Sequence, residues 1–555
     1  MAAALVAVAV ILAASGGFRT TVGGLRISAR SPLPIVVLAL LNASMWYSAA
    51  RRQHAVATDL EAIWVGIERR PARIVVAVAV TIAVLATVYS TRSAAGADAS
   101  GYLSEAASLS AGRLFHDDDL SSLTRGHDPF LTSPLGWRPA PAEGRQSPTY
   151  PPGLPLVMAV PHAIAGISGA TAIVTGSAAL AVWATATVAM QSGGGAAGVI
   201  AALMLAFTPV FIHQSVQPMS DVPVTAAWML CFLLLRRSSA WAGVACALAV
   251  LIRPNLAPLA MVPLVLAANR VAFAAPVAMA GAALASLQWA WYGSPWRSGY
   301  GSADQLFALS NAGANASRYA GWVIATAPLM LLSVLGVSRA VRSRFARGLL
   351  TFAALVVSAY LIYAVFDDWS YLRFLLPALA VLAIVGAIGM EAMITRAPVE
   401  LRAVILFGVS LAVVGDGIVI ARSKETFRLS TQLQRVEHVG DWIRANVEPE
   451  AVLLAGEQSG SMRYYTRRSI LRWEAASPDA LTSAIATLQQ AGRPIYIVLD
   501  AWENERFRAK LGSVAAVALD WPPALEAGSS HRTRVWRLSD RARFLSGETL
   551  DITRR

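Results

Sequence analysis

Charge is what this chain has least of. Asp, Glu, Lys and Arg make up 14% of its 555 residues, where soluble domains carry ~25%. Cysteine is nearly absent: Cys231 and Cys246 both lie inside apolar runs. Neither a disulfide framework nor a thiolate metal site is therefore supported. Acidic residues are outnumbered by basic ones, 33 to 46, for a net charge of +13. No P-loop and no Ser-His-Asp set occurs, which removes most support for nucleotide-dependent chemistry. Low-complexity tracts and short-period repeats are also missing. No basic soluble module accompanies the positive charge, so nucleic acid is not an expected partner.

What fills the chain is apolar sequence, 56% of its residues. The runs fall near residues 2–16, 33–50, 73–90, 170–190, 195–213, 222–236, 240–252, 255–268, 271–290, 320–338, 348–366, 373–391 and 401–421. Several are long enough to cross hydrocarbon as helices, so the chain reads as a polytopic α-helical membrane protein of about 13 transmembrane helices. The first run lacks the basic n-region of a signal peptide and reads as a span. The proline-rich 151–167 stretch, "PPGLPLVMAVPHAIAGI", suits an interfacial helix better than a crossing one. Three regions result: 1–70, with extra helices and a cytoplasmic loop; 71–421, the membrane region with a first large outer loop at 91–152; and 422–555. The last is polar and mixed, with strand-like "AVLLAG" and "PIYIVLD" and the helical pattern "SPDALTSAIATLQQAG". It reads as a small C-terminal α/β domain.

Arginine placement orients the chain. With 2–16 starting in the cytoplasm and 151–167 at the surface, "ARRQHAV", "ERRPARI", "LLLRRSS" and "SRAVRSRFARG" all fall inside, as the positive-inside rule requires. The outer face then receives 91–152, "HQSVQPMSD", "WYGSPWRSGYG", "FDDWSYLRF" and 422–555.

Those outer segments hold the informative polar residues. Asp98 follows an apolar run directly, and a carboxylate at the lip of a span is costly to keep there without a use. It can serve as a general base towards a hydroxyl, or as a helix cap. Tyr102, four residues on, shares its face if this stretch is helical, and Glu105 falls on the same side. Asp221 repeats the arrangement in "QPMSDVP", with capping as its alternative. If the two carboxylates meet, they share a divalent metal or divide acid and base roles. Arg253, Arg297 and Arg373 run against the positive-inside trend. Their forked donors suit a lipid phosphate, with headgroup snorkelling as the alternative. The "HDDDL" tract at 116–120 matches no metal-ligand spacing and reads as a solvated loop.

In order, "ADASGYLSEA", "YPPGLPLVMA", "QPMSDVP", "LIRPN", "YGSPWRSGYG" and "RFLLPAL" resemble the GT-C glycosyltransferases. More narrowly, they resemble the bacterial branch related to protein O-mannosyltransferases and the aminoarabinose transferases of lipid A. The resemblance covers residues 70–420, roughly the membrane region. It implies transfer of a sugar from a polyprenyl-phosphate donor, outside the bacterial cytoplasmic (inner) membrane, to a glycan, lipid or protein hydroxyl, with inversion. It gives Asp98 the base position and Asp221 the second acidic position. The candidate substrate contacts are Tyr102, Glu105, Arg253, Arg297, Tyr300 and Arg373. No cofactor is assigned, and a divalent metal is left open. Ala99 stands where many relatives have a second acidic residue. The rival reading is a transporter or lipid-linked-sugar flippase, which would place its polar residues near the bilayer midplane in both halves of an internal repeat.

Overall fold

Inside hydrocarbon every backbone N–H and C=O must find a partner within the chain, so uncharged apolar runs become helices. The computed structural model describes residues 18–22, 25–29, 56–528 and 531–555. The expected spans at 2–16 and 33–50 lie outside the described residues. Between them, Phe18–Val22 pairs antiparallel with Leu25–Ala29.

Six described helices are long and apolar enough to cross a membrane: Pro71–Val88, Gly153–Ser192, Arg270–Tyr292, Arg344–Leu361, Trp369–Ile394 and Val399–Ser423. Two bent pairs raise this to eight if each is one span: Gly195–Ala206 with Pro209–Ser215 (65°) and Leu309–Thr326 with Pro328–Ala340 (101°). Proline sets both breaks, since Pro209 and Pro328 lack the N–H that would continue the helix before them. Asp221–Leu234 and Ser239–Ile252, at 14 residues each, rise only about 21 Å.

The proline-rich 151–167 stretch is separated from the helix after it. Within Gly153–Ser192, Ala165 and Gly166 leave helical geometry, Gly166 taking φ 58°, a value that suits glycine. A Cβ on Gly169 would fall 2.0 Å from the Pro161 carbonyl oxygen. In a continuous helix those residues are about 12 Å apart along the axis, so the chain folds back sharply here.

Beyond the Leu429–Asn446 helix lies a six-stranded sheet. Its order is Thr553–Arg554, Leu525–Ala527, Thr533–Arg537, Ile495–Asp500, Val452–Ala455, Ser469–Arg472. The last three are mutually parallel, and Thr533–Arg537 runs antiparallel beside them. The Ser459–Thr466 and Pro478–Gln490 helices make the crossovers. Leu454, Leu471, Leu481, Ile497 and Trp536 fill this core. Both strand-like stretches and the helical pattern read from the sequence are present.

This sheet is fastened to the first loop. The Tyr465 hydroxyl accepts from Ala94 N at 2.9 Å, and Ser459 Oγ accepts from Leu135 N at 3.0 Å. Asp119 accepts from Ser469 Oγ (2.7 Å) and Arg493 Nη1 (2.9 Å), while Asp118 accepts from Thr132 Oγ1 (2.6 Å). The acidic tract is thus a clasp between loop and sheet. The aromatic and basic stretch at 458–473 is not a free surface either: Gly460, Met462 and Tyr465 are buried, and a Cβ on Gly460 would meet Ser100 Oγ at 2.4 Å.

Candidate functional site

The Ala97–Ser110 helix begins after Gly96, at φ 77°, and carries Asp98 in its first turn. Its 3.6-residue period puts Asp98 and Tyr102 on one face, and both line a cavity of about 520 Å³. Asp221, Arg253, Tyr300 and Arg373 line the same cavity. Six of the eight residues singled out in the sequence therefore meet, brought from five separate segments.

Two do not. Glu105 is 1% exposed, lies off the cavity, and neither of its carboxylate oxygens has a hydrogen bond among the described residues. Two helical turns carry it about 10 Å along the axis from Asp98, into the interior, where burial holds its carboxyl well above the usual carboxylate range. Arg297 is exposed and lies outside the lining, although its neighbours Trp296, Ser298 and Tyr300 contribute to it. A substrate contact for either residue is not what this geometry provides.

Charge in the cavity is arranged as two crossed ion pairs. Arg373 Nη2 donates to Asp98 Oδ2 at 2.8 Å, with side-chain exposures of 13% and 32%. Arg253 Nη2 donates to Asp221 Oδ1, with exposures of 10% and 1%. Arg373 Nε lies 4.0 Å from the same Asp221 oxygen. Arg253 is further held by Tyr360 OH (3.2 Å) and Ser220 Oγ (3.4 Å), and Ser220 accepts from the Tyr102 hydroxyl at 3.0 Å. Both guanidinium groups lie against Phe374, at 5.4 and 5.3 Å from its ring centre, an arrangement in which the ring face stabilises the cation. Asp98 is the carboxylate open to solvent. Asp221 is enclosed and acts on Arg253.

The residues do not fit a divalent metal between the two carboxylates. The Arg373 guanidinium already lies between them, so each carboxylate is charge-paired without a metal. Among the described residues no three of His, Cys, Asp and Glu converge to hold an ion.

Aromatic rings build the remaining wall. Tyr150 packs at a tilt against Tyr102, ring centres 4.7 Å apart, and meets Tyr300 edge-on at 5.8 Å. Burial and the Asp98 charge push the Tyr150 phenol up, which keeps it a hydrogen-bond donor. Tyr150, Tyr360 and Asn255 went unmarked in the sequence. Asn255 donates to Tyr360 OH at 3.1 Å and sits in the "LIRPN" stretch, which was a usable signal. Tyr360 lies within an apolar run and offered none.

No protein-family model matches the chain, and no curated protein does. Solved structures do. ArnT from Cupriavidus metallidurans in the apo state aligns with a TM-score of 0.51 at 14% identity, over 84% of this chain and 97% of that one. The same protein bound to undecaprenyl phosphate aligns with a TM-score of 0.50 at 14% identity, over 83% and 98%. The apo oligosaccharyltransferase of Archaeoglobus fulgidus gives 0.52 at 13% identity, over 80% and 72%. The likeness is one of fold: this chain shares the architecture of these structures.

Proposed function

We propose that the chain is a membrane glycosyltransferase moving a sugar from a polyprenyl-phosphate donor to a hydroxyl acceptor, with Asp98 as base and inversion at the anomeric carbon. The observation that carries this reading is the Arg373–Asp98 pair at 2.8 Å in the cavity, with Arg253 beside it. A solvent-reaching carboxylate and two guanidinium groups are the pieces that such a transfer needs. The guanidinium forks match phosphate oxygens, and Arg373 Nε has no hydrogen bond among the described residues. A donor phosphate competes for Arg373 and in doing so frees Asp98. The acceptor oxygen then attacks the anomeric carbon, its proton goes to Asp98, and the phospho-lipid leaves with the bonding pair. Oriented donors around the departing phosphate supply much of the rate.

The cavity, about 520 Å³, is in the range of small-ligand sites. It accommodates a sugar phosphate and the start of a lipid chain, the rest running along the membrane. The undecaprenyl phosphate held by the ArnT structure of the same fold supports a lipid phosphate as the leaving group. The decisive test is to incubate the purified protein with a panel of polyprenyl-phosphate sugars and acceptors and read the products by mass spectrometry. Release of polyprenyl phosphate with a glycosylated product is expected. Movement of intact donor across vesicles, with no product, would favour the flippase reading instead.

The orientation that goes with this reading puts the cavity and residues 422–555 outside the bacterial cytoplasmic membrane. Reporter fusions after Lys424 should read as outside and fusions within 343–347 as inside, because Arg339, Arg342, Arg344 and Arg347 crowd that loop. A cytoplasmic reporter after Lys424 would remove the topology argument. Arg373→Lys keeps the charge but loses the fork. Donor affinity should fall several-fold in a binding titration while yield stays near wild type. Unchanged affinity would assign Arg373 to holding Asp98 alone.

A further inference from the structure

The C-terminal sheet brings one more carboxylate beside the helix that carries Asp98. The Val452–Ala455 strand runs through Gly456 and Glu457 into the Ser459–Thr466 helix, which lies against the Ala97–Ser110 helix. A Cβ on Gly96, two residues before Asp98, would sit 3.7 Å from Glu457 Oε1. Glu457 thus stands beside the first turn of the Asp98 helix. Its turn is held in place: Glu503 Oε1 accepts from both Glu457 N and Trp473 Nε1, each at 3.1 Å. The Glu457 carboxylate itself has no hydrogen bond or ion pair among the described residues.

Acidic and phenolic groups face it, with arginines paired to carboxylates among them, Arg472 to Glu474 and Arg373 to Asp98. Glu474, Glu503 and Asp500 come from the C-terminal segment, Asp98 from the loop helix, and Tyr371 from the turn before the Leu376–Ile394 helix. Asp98 and Tyr371 line the cavity. Burial and these carboxylates push Glu457 up to about 7, where a side chain both takes and releases protons at ordinary pH.

We propose that Glu457 is the proton relay of this site, taking from Asp98 the proton that Asp98 removes from the acceptor hydroxyl. This rests on the transferase reading above. The acceptor oxygen–carbon bond forms, the carbon–phosphate-oxygen bond breaks with its electron pair leaving on the phospho-lipid, and the proton passes from Asp98 to Glu457 and then to water. Asp98 pairs with Arg373 as a carboxylate, so the proton must be cleared before the next cycle. Glu457 acts through Asp98 and is a positioning residue. It accepts only when ionised, so the relay runs above about pH 7 and fades as pH falls through that value.

Two readouts on the full chain in nanodiscs test this. In pH-difference infrared spectra, the protonated-carboxyl component lost in Glu457→Gln should titrate near pH 7 and move to lower pH in Asp98→Asn, which removes a neighbouring negative charge. In transfer assays, Glu457→Gln should lower kcat about 10-fold above neutral pH with KM unchanged and flatten the acid limb of the rate profile, with Glu457→Asp restoring part of both. An infrared midpoint unmoved by Asp98→Asn, or a Glu457→Gln variant with the wild-type rate and acid limb, would overturn the relay. A wild-type protein inactive on every donor, yet with the linked titration intact, would count against the transferase reading and not against the Asp98–Glu457 coupling.

Discussion

Asp98→Asn should abolish most transfer and leave the protein standing. Asn keeps the shape of Asp and an oxygen able to accept from Arg373 Nη2, now 2.8 Å away. Its helix is capped at Gly96, not at Asp98, so no cap is lost. The Asp98 side chain is 32% exposed, and a partly solvated pair of this kind contributes no more than about 1 kcal/mol. The melting temperature in detergent should therefore shift little. Asn cannot accept a proton at neutral pH, so turnover should fall by ~10²–10⁴. Donor binding should hold or tighten, because phosphate no longer competes with a carboxylate for Arg373. An Asn variant with wild-type turnover would make Asp98 structural, and a variant that misfolds would make the ion pair a fold element.

Asp221→Asn should do the reverse, striking stability first. Asp221 is 1% exposed and Arg253 is 10% exposed. Removing one partner of an enclosed pair strands the other charge, at a cost of about 3–5 kcal/mol. The expected result is a large fall in melting temperature, well beyond that of Asp98→Asn, with activity lost through a displaced Arg253. Asp221→Asn combined with Arg253→Met should recover much of the thermal stability and none of the donor affinity, since both charges leave together. A wild-type melting temperature with reduced kcat would instead give Asp221 the direct acid or base role that its sequence context allowed. The ratio of the two effects separates a residue that reacts from one that holds.

The membrane class of this chain follows from its residues alone. Apolar runs with almost no charge have one stable state in hydrocarbon, the helix, because every backbone group must bond within the chain. The pairing of Asp98 with Tyr102 on one face was equally legible, since a 3.6-residue period acts over a few residues. The same rule extended to Glu105 failed. Facing the same way two turns on does not keep a side chain beside the same cavity once other segments cover it. Proline positions marked the breaks at Pro209 and Pro328, but not the angles of 65° and 101°, which depend on what each half packs against.

Tertiary structure alone decided who pairs with whom. Arg373 and Asp98 are 275 residues apart, and Arg253 and Asp221 are 32 apart. No local pattern says which arginine meets which carboxylate, or that Arg297 turns outward. Tyr360 is invisible in an apolar run until two helices bring it under Arg253. Glu457 is an ordinary surface acid in sequence, and it acquires a neighbour only because the Ser459–Thr466 helix docks on the first loop. Periodicity and hydropathy are properties of neighbouring residues. An ion pair in a cavity is a property of the chain closed on itself, settled by which packing leaves the fewest buried charges alone.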